Sequence, residues 1–275
     1  MSTPFNEGDL ILRTADAVQY HVWSKILTVA SPFFRDLFNL PQPKGPGGIP
    51  IVDVSEDSPV IVALLRIIYP MYSQPLTDIE LIRNVLGAAL KYDIGVAVRE
   101  LCGLLATRHS SNGMDALRTY AISCRYKLAE EARIAAKASL QFPITETYAE
   151  ELEHIPAGDY FRLLQYHHLA FSAIKGLVNG NLSEYPQILR SHKCNDCWTE
   201  FSKRAGAILR EAPHCQEIYT IQFMDEMFKH SSYSARNNWG CSHGYVHDYW
   251  VDYIAYLKAE VNRRIDAVKI LVRFE

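Results

Sequence analysis

Between Val18 and Phe38 the spacing of apolar residues changes period, and this change constrains the fold more than any other stretch. Val18, Tyr20 and Val22 alternate with Gln19 and His21, the pattern of a half-buried strand. From Ile26 the spacing becomes helical, through Leu27 and Ala30 and then Phe34, Leu37 and Phe38. Ser31-Pro32 divides the helical part. Serine can cap the second helix, and proline suits a first turn, where its missing N–H costs nothing. The predicted order is strand, short helix, capped turn, short helix.

The flanking sequence extends this order. Residues 9–13 and 17–22 are predicted to pair as a hairpin around Thr14-Ala15-Asp16-Ala17, where Ala17 either takes a positive φ or sits in a different turn. Residues 39–48 are rich in proline and glycine and read as a loop, ending at Ile49-Pro50-Ile51-Val52, a short edge strand. Helices are predicted over 58–69, 77–92 and 96–108, with a capping-box spacing at Thr77-Asp78-Ile79-Glu80. Ser110-Ser111-Asn112-Gly113 is the first clear break, and a domain boundary is placed there. Beyond it, 116–126 and 129–141 read as an alanine-rich antiparallel helix pair. Further helices are expected at 149–155, 157–176, 199–210 and 216–229, and a long amphipathic one at 248–272. Trp250, Ile254, Leu257, Val261, Ile265, Val268 and Leu271 repeat along that last helix.

The residues from Asp9 to about 110 resemble the BTB/POZ domain, in its fungal form. The resemblance rests on Asp9-Leu10-Ile11-Leu12, on Leu27, Ser31 and Phe34 in the spacing Leu-x-x-x-Ser-x-x-Phe, and on residues 53–58, 63–70 and 88–93. Many relatives carry histidine where this chain has Trp23, so Trp23 is expected to be packed, with its indole N–H satisfied. The resemblance implies a small three-stranded sheet against a helical cluster. It also implies homodimerisation through the first strand and first helices, which here are Asp9, Leu10, Leu12, Ile26, Leu27, Ser31, Phe34, Leu37 and Phe38. Some members of the family bind cullin-type ubiquitin ligase scaffolds. The helix pair after residue 110 resembles the opening of a BACK-type extension.

Other classes find less support. Apolar residues make up 48% of the 275, enough for a sizeable core, and the formal net charge is −3 with no long run of one sign. That balance argues against a general phosphate-binding surface. No apolar run approaches the ~18–20 residues of a membrane span, and the N-terminus does not read as a signal peptide. The expected setting is therefore intracellular, cytoplasmic or nuclear, with reduced cysteines. No Gly-x-Ser-x-Gly, phosphate-cradling glycine loop or His-Glu-x-x-His occurs, so no enzyme is predicted. His167 and His168 point about 100° apart on a helix and cannot easily share a metal. Glu150, Glu151 and Glu153 read as a solvated helix start.

One set of residues carries a chemical signal. Cys194-x-x-Cys197 has the spacing of a tight turn aiming two sulfurs at one metal, and Cys241-x-His243 supplies two more ligands. Together they would make a closed tetrahedral zinc site, with His214 or Cys215 as a substitute ligand. The alternatives are reduced cysteines packed as small hydrophobes, or a redox pair. The sequence thus predicts an α+β, mostly helical chain: a BTB/POZ-like domain at 1–110, a BACK-like extension at 111–178, and a C-terminal helical region with a Cys/His cluster at 179–275. The predicted role is protein–protein interaction, as a dimerising scaffold or adaptor, with a cullin scaffold among the partners considered. A transcription-associated regulator using the zinc region is the alternative. No cofactor other than a structural zinc is implied.

Overall fold

Strands β1 (Leu10–Arg13) and β2 (Gln19–Val22) pair antiparallel, with Leu10 opposite Val22 and Leu12 opposite Tyr20. Strand β3 (Ile51–Asp53) adds parallel to β1, giving the order β2-β1-β3. Pro50 therefore stands at the start of an edge strand, where its missing donor is tolerated. The turn of the hairpin places Ala17 at φ 63, a left-handed conformation that costs a non-glycine residue about 1 kcal/mol. Thr14 holds that turn, bonding Val18 through both backbone and hydroxyl. Gly8 is required for packing, since a Cβ there would lie 2.1 Å from the Val22 carbonyl oxygen.

The computed structural model describes residues 5–69, 75–108, 113–178, 195–224, 226 and 243–274. The chain divides into two units, Met1–Thr107 and Arg108–Glu275. Among the described residues it is mostly helical, with one small three-stranded sheet, in the first unit. Among the described residues no helix is long and apolar enough to cross a membrane.

In the first unit the sheet is followed by α1 (Ser24–Ala30), α2 (Pro32–Leu37), α3 (Ser58–Ile68), α4 (Ile79–Lys91) and α5 (Gly95–Arg108). Its core takes Leu10, Leu12, Tyr20, Val22, Leu27 and Phe34 from the sheet and first helices, and Leu64, Leu65, Ile82, Val85 and Leu86 from α3 and α4. Two aspartates of the hairpin cap helices distant in sequence. Asp9 accepts from the Ser24 N–H at 2.6 Å and its hydroxyl at 2.8 Å, and Asp16 accepts from the Ser58 N–H at 3.0 Å and its hydroxyl at 2.6 Å. Each satisfies a first-turn donor that the local N-cap residue, Trp23 or Asp57, leaves unbonded by its side chain. The hairpin thus fixes where α1 and α3 begin.

Two local expectations for this unit change. Trp23 is about half exposed (49%) rather than packed. It follows buried Val22 in the two-residue alternation, so its side chain falls on the outward phase, while its backbone N–H donates to Tyr69 Oη at 2.8 Å. The N-cap of α4 is Asp78, accepting from the Glu80 N–H, one residue later than the capping box implied. Helix α4 accordingly begins at Ile79.

The second unit contains α6 (Gly113–Arg125), α7 (Ala129–Ser139), α8 (Ala157–Val178), α9 (Asn195–Glu211) and α10 (His243–Ala267). Fully buried Ala132, Ala135 and Ala136 let α7 lie close against α6. The buried stripe of α8, Leu163, Tyr166, Ala170, Ile174 and Leu177, recurs every three or four residues and meets α9 and α10. Trp198 and Phe201 of α9 set their rings edge-on to Tyr253 of α10, at 5.0 and 5.7 Å between centroids. Residues 150–154 form a 3-10 helix rather than an α-helix, closed by Pro156 just beyond. Helix α10 stops at Ala267, so Val268 and Leu271 lie past its end, and Leu271 is exposed. Of the stretch 216–229 expected to be helical, Glu217–Tyr219 form a 3-10 turn and residues 221–224 and 226 are α-helical, while 225 and 227–229 lie outside the described residues.

Candidate functional site

Helices α1 and α2 pack on each other as consecutive short pieces, and Ser31 is the joint between them. Its buried hydroxyl accepts from the Phe34 N–H at 3.0 Å and donates to the Tyr92 carbonyl at the end of α4. One side chain therefore caps α2 and ties it to the helical layer. The ring of Phe34 stacks on Tyr92 at 5.1 Å, and Phe33 packs beside it. Tyr92 itself donates to Glu56, which also takes Lys91 at 2.8 Å. Burial and the neighbouring Glu56 carboxylate push the Tyr92 phenol up to about 12, so it remains a donor at any ordinary pH. Burial alone would raise the Glu56 pKa, but the bonds from Lys91 and Tyr92 outweigh it and hold the carboxyl low.

This network determines which apolar side chains remain outside. Of the residues assigned from sequence to an interface, Leu10, Leu12, Leu27, Ser31 and Phe34 are buried within the unit. Asp9 is exposed but engaged as the cap of α1, and Ile26, Leu37 and Phe38 are half-buried. The apolar residues that do face outward on this helix pair are Trp23, Val29 at 82% exposure and Phe33 at 40%, with Leu40 just beyond. Sequence periodicity passes over them because it detects the core-facing stripe, and these fall between its positions. Helical spacing could not join them, because Ser31 takes an extended conformation between α1 and α2; their only signal was apolar character off the core stripe.

A second surface of the first unit is a groove between α3 and α4, lined by Pro59, Val62, Ile67 and Leu81 with Arg66 and Glu100 at its edge. In the second unit the titratable side chains are largely structural. Burial pushes His167 down to about 4, keeping the ring neutral, with one nitrogen 2.9 Å from Ser139 Oγ; neighbouring His168 is exposed. Burial pushes the Cys124 thiol up to about 12, so it is not a nucleophile at neutral pH. His214 bonds Asn262 at 2.7 Å, and burial raises the Cys215 thiol.

Of the residues assigned to zinc, Cys194 and Cys241 lie outside the described residues. Cys197 falls in the first turn of α9 and His243 opens α10, and their side chains are likewise outside the described set. The turn expected at Cys194-x-x-Cys197 gives way to helix from Asn195. Among the described residues no three His, Cys, Asp or Glu side chains converge on a metal site.

Set beside known families, residues 3–109 match the model of the BTB/POZ domain, a protein–protein interaction module. No curated protein matches the chain.

Proposed function

We propose that the chain is a dimerising scaffold or adaptor, self-associating through its first unit and holding other proteins through its helical unit. The observation that carries this is the set Trp23, Val29 and Phe33. These apolar side chains, at the cap of α1, on α1 and on α2, stay exposed although Leu27 and Phe34 already fill the core beneath, with Phe33 only partly covered by Phe34 and Tyr92. Exposed apolar side chains gathered within one short stretch of chain, residues 23–33, are the material of a partner-binding face. The match of residues 3–109 to an interaction domain supports the same reading. A cullin-type ligase scaffold is one partner this arrangement would suit, and the α3–α4 groove is a surface on which it could seat. The proposal contains no catalytic step. Light scattering of the full chain at micromolar concentration is expected to give a mass near twice 31.3 kDa. A monomer mass that persists at high concentration would overturn it.

Within the same proposal, Cys194, Cys197, Cys241 and His243 hold a structural zinc. Their donor set, three thiolates and one imidazole, suits a closed tetrahedral site. Elemental analysis of protein made with zinc supplied is expected to find about one equivalent, lost in the Cys194→Ser/Cys197→Ser variant. Protein free of metal under those conditions would remove the site.

A further inference from the structure

Between Lys137 and Arg162 the chain carries five acidic residues and no lysine or arginine. Two of the five are committed internally: buried Glu151 takes Arg118 of α6 at 2.7 Å, and buried Asp159 takes Arg162. The other three, Glu146, Glu150 and Glu153, are exposed and make no ion pair among the described residues. The segment that bears them is firmly held. Ile144 and Ala149 are buried, Thr147 bonds back to Ile144 and Pro143, and Leu152 bonds back to Ala149.

Between these anchors the chain leaves a cleft. Leu152, Ile155 and Tyr160 form its apolar part, partly buried against the core of the second unit. Tyr148 stands at its side, 62% exposed although it is a large aromatic residue. Glu146 and Glu153 line the same cleft, and the Tyr148 hydroxyl donates to Glu153 at 3.2 Å. Slight desolvation, and then the charge of Glu153, Glu150 and Glu151, hold the Tyr148 phenol above the ordinary tyrosine range, a sign of net negative potential at this spot. An exposed aromatic face beside carboxylates that lack cations is complementary to a guanidinium. Such a group stacks on the ring and donates its planar fork to carboxylate oxygens.

We propose that this cleft binds an arginine-bearing peptide segment of a protein partner, with the guanidinium against Tyr148 between Glu146 and Glu153 and a neighbouring apolar side chain over Leu152 and Ile155. This gives the helical unit of the proposed scaffold a partner of defined chemistry, and it fails separately from self-association.

The test uses the full chain and a short fluorescein-labelled peptide alternating arginine with leucine, read by fluorescence anisotropy, with light scattering on the same sample. Saturable binding is expected, weakening as salt is raised. The Glu146→Gln/Glu153→Gln variant should weaken it about tenfold or more, and Tyr148→Ala should weaken it severalfold. All three positions are exposed, so the fold is kept. The charge-matched control Glu80→Gln/Glu131→Gln should leave it unchanged. Absence of saturable binding, equal binding of a glutamate–leucine peptide, or equal losses in control and cleft variants would overturn the proposal, whatever the mass measured.

Discussion

Replacing Val29 by aspartate is expected to turn the proposed dimer into a monomer while leaving the first unit folded. Val29 is 82% exposed, so the change removes almost no packing within its own protomer. In a self-associated pair the same side chain is desolvated, and on a two-fold axis each substitution acts twice. Burying an uncompensated carboxylate opposite apolar groups costs several kcal/mol, and losing a central apolar anchor adds about 2 kcal/mol. Together these weaken association by roughly a thousandfold or more. Light scattering at micromolar concentration should then report 31.3 kDa in place of twice that value. Trp23→Ala should act in the same direction, with an aromatic anchor rather than a charge as the cause. The thermal transition of the isolated monomer should move little. If Val29→Asp leaves the mass doubled, the outward face of α1 and α2 is not where two copies meet.

The contrast between Val29 and Leu27 shows what was legible in the sequence. The period change at Val18–Phe38 marks the strand, the two helices and Ser31 as their joint, and all four occur where that change puts them. Periodicity works there because it records which side chains a single chain must bury. It says nothing of what a second copy buries; the dimer face implied by the family resemblance included Leu27 and Phe34, which are buried within their own unit. Trp23 carried its own correction. It is one step beyond Val22, and strict alternation sends it outward, whereas the expectation of packing rested on its standing where many relatives carry histidine.

Capping was only partly visible, because sequence logic looks for it locally. Ser31 caps its own helix and was found. Asp9 and Asp16 cap helices 15 and 42 residues away, through serines at the first helical position. No window of neighbouring residues contains both partners. In the second unit the acidic run at 150–153 was read as a solvated helix start. The structure divides it, burying Glu151 on Arg118 and leaving Glu150 and Glu153 in water. Sequence shows that carboxylates are present, but which one meets a cation depends on α6 lying against that segment.

That buried pair sets the largest expected loss of stability in the second unit. Arg118 donates through Nε at 2.9 Å and Nη2 at 2.7 Å to one oxygen of Glu151, whose side chain is 3% exposed. Arg118→Met keeps the bulk of the stem but withdraws the charge, so the carboxylate is left in a site of low polarity with its main counter-charge gone. Breaking a buried ion pair from one side costs about 3 kcal/mol or more, because the desolvation of the remaining ion is no longer offset. With a urea slope of about 2–3 kcal/mol/M, the midpoint should fall by roughly 1 M. Tryptophan emission can follow this, since Trp198 is buried in the same unit. Adding Glu151→Gln to that variant should recover part of the loss, as a neutral amide is far cheaper to bury than a carboxylate. The double substitution separates the two explanations for any loss. If the damage were simply missing packing from the arginine stem, the isosteric change to glutamine would leave it in place. If the stranded charge is the cause, the second change heals what the first one broke. A single-variant loss below about 1 kcal/mol would mean the pair behaves as a surface contact. The segment at 145–155 would then be held by buried Ile144 and Ala149, by Leu152 and Ile155 on the core, and by its own backbone bonds.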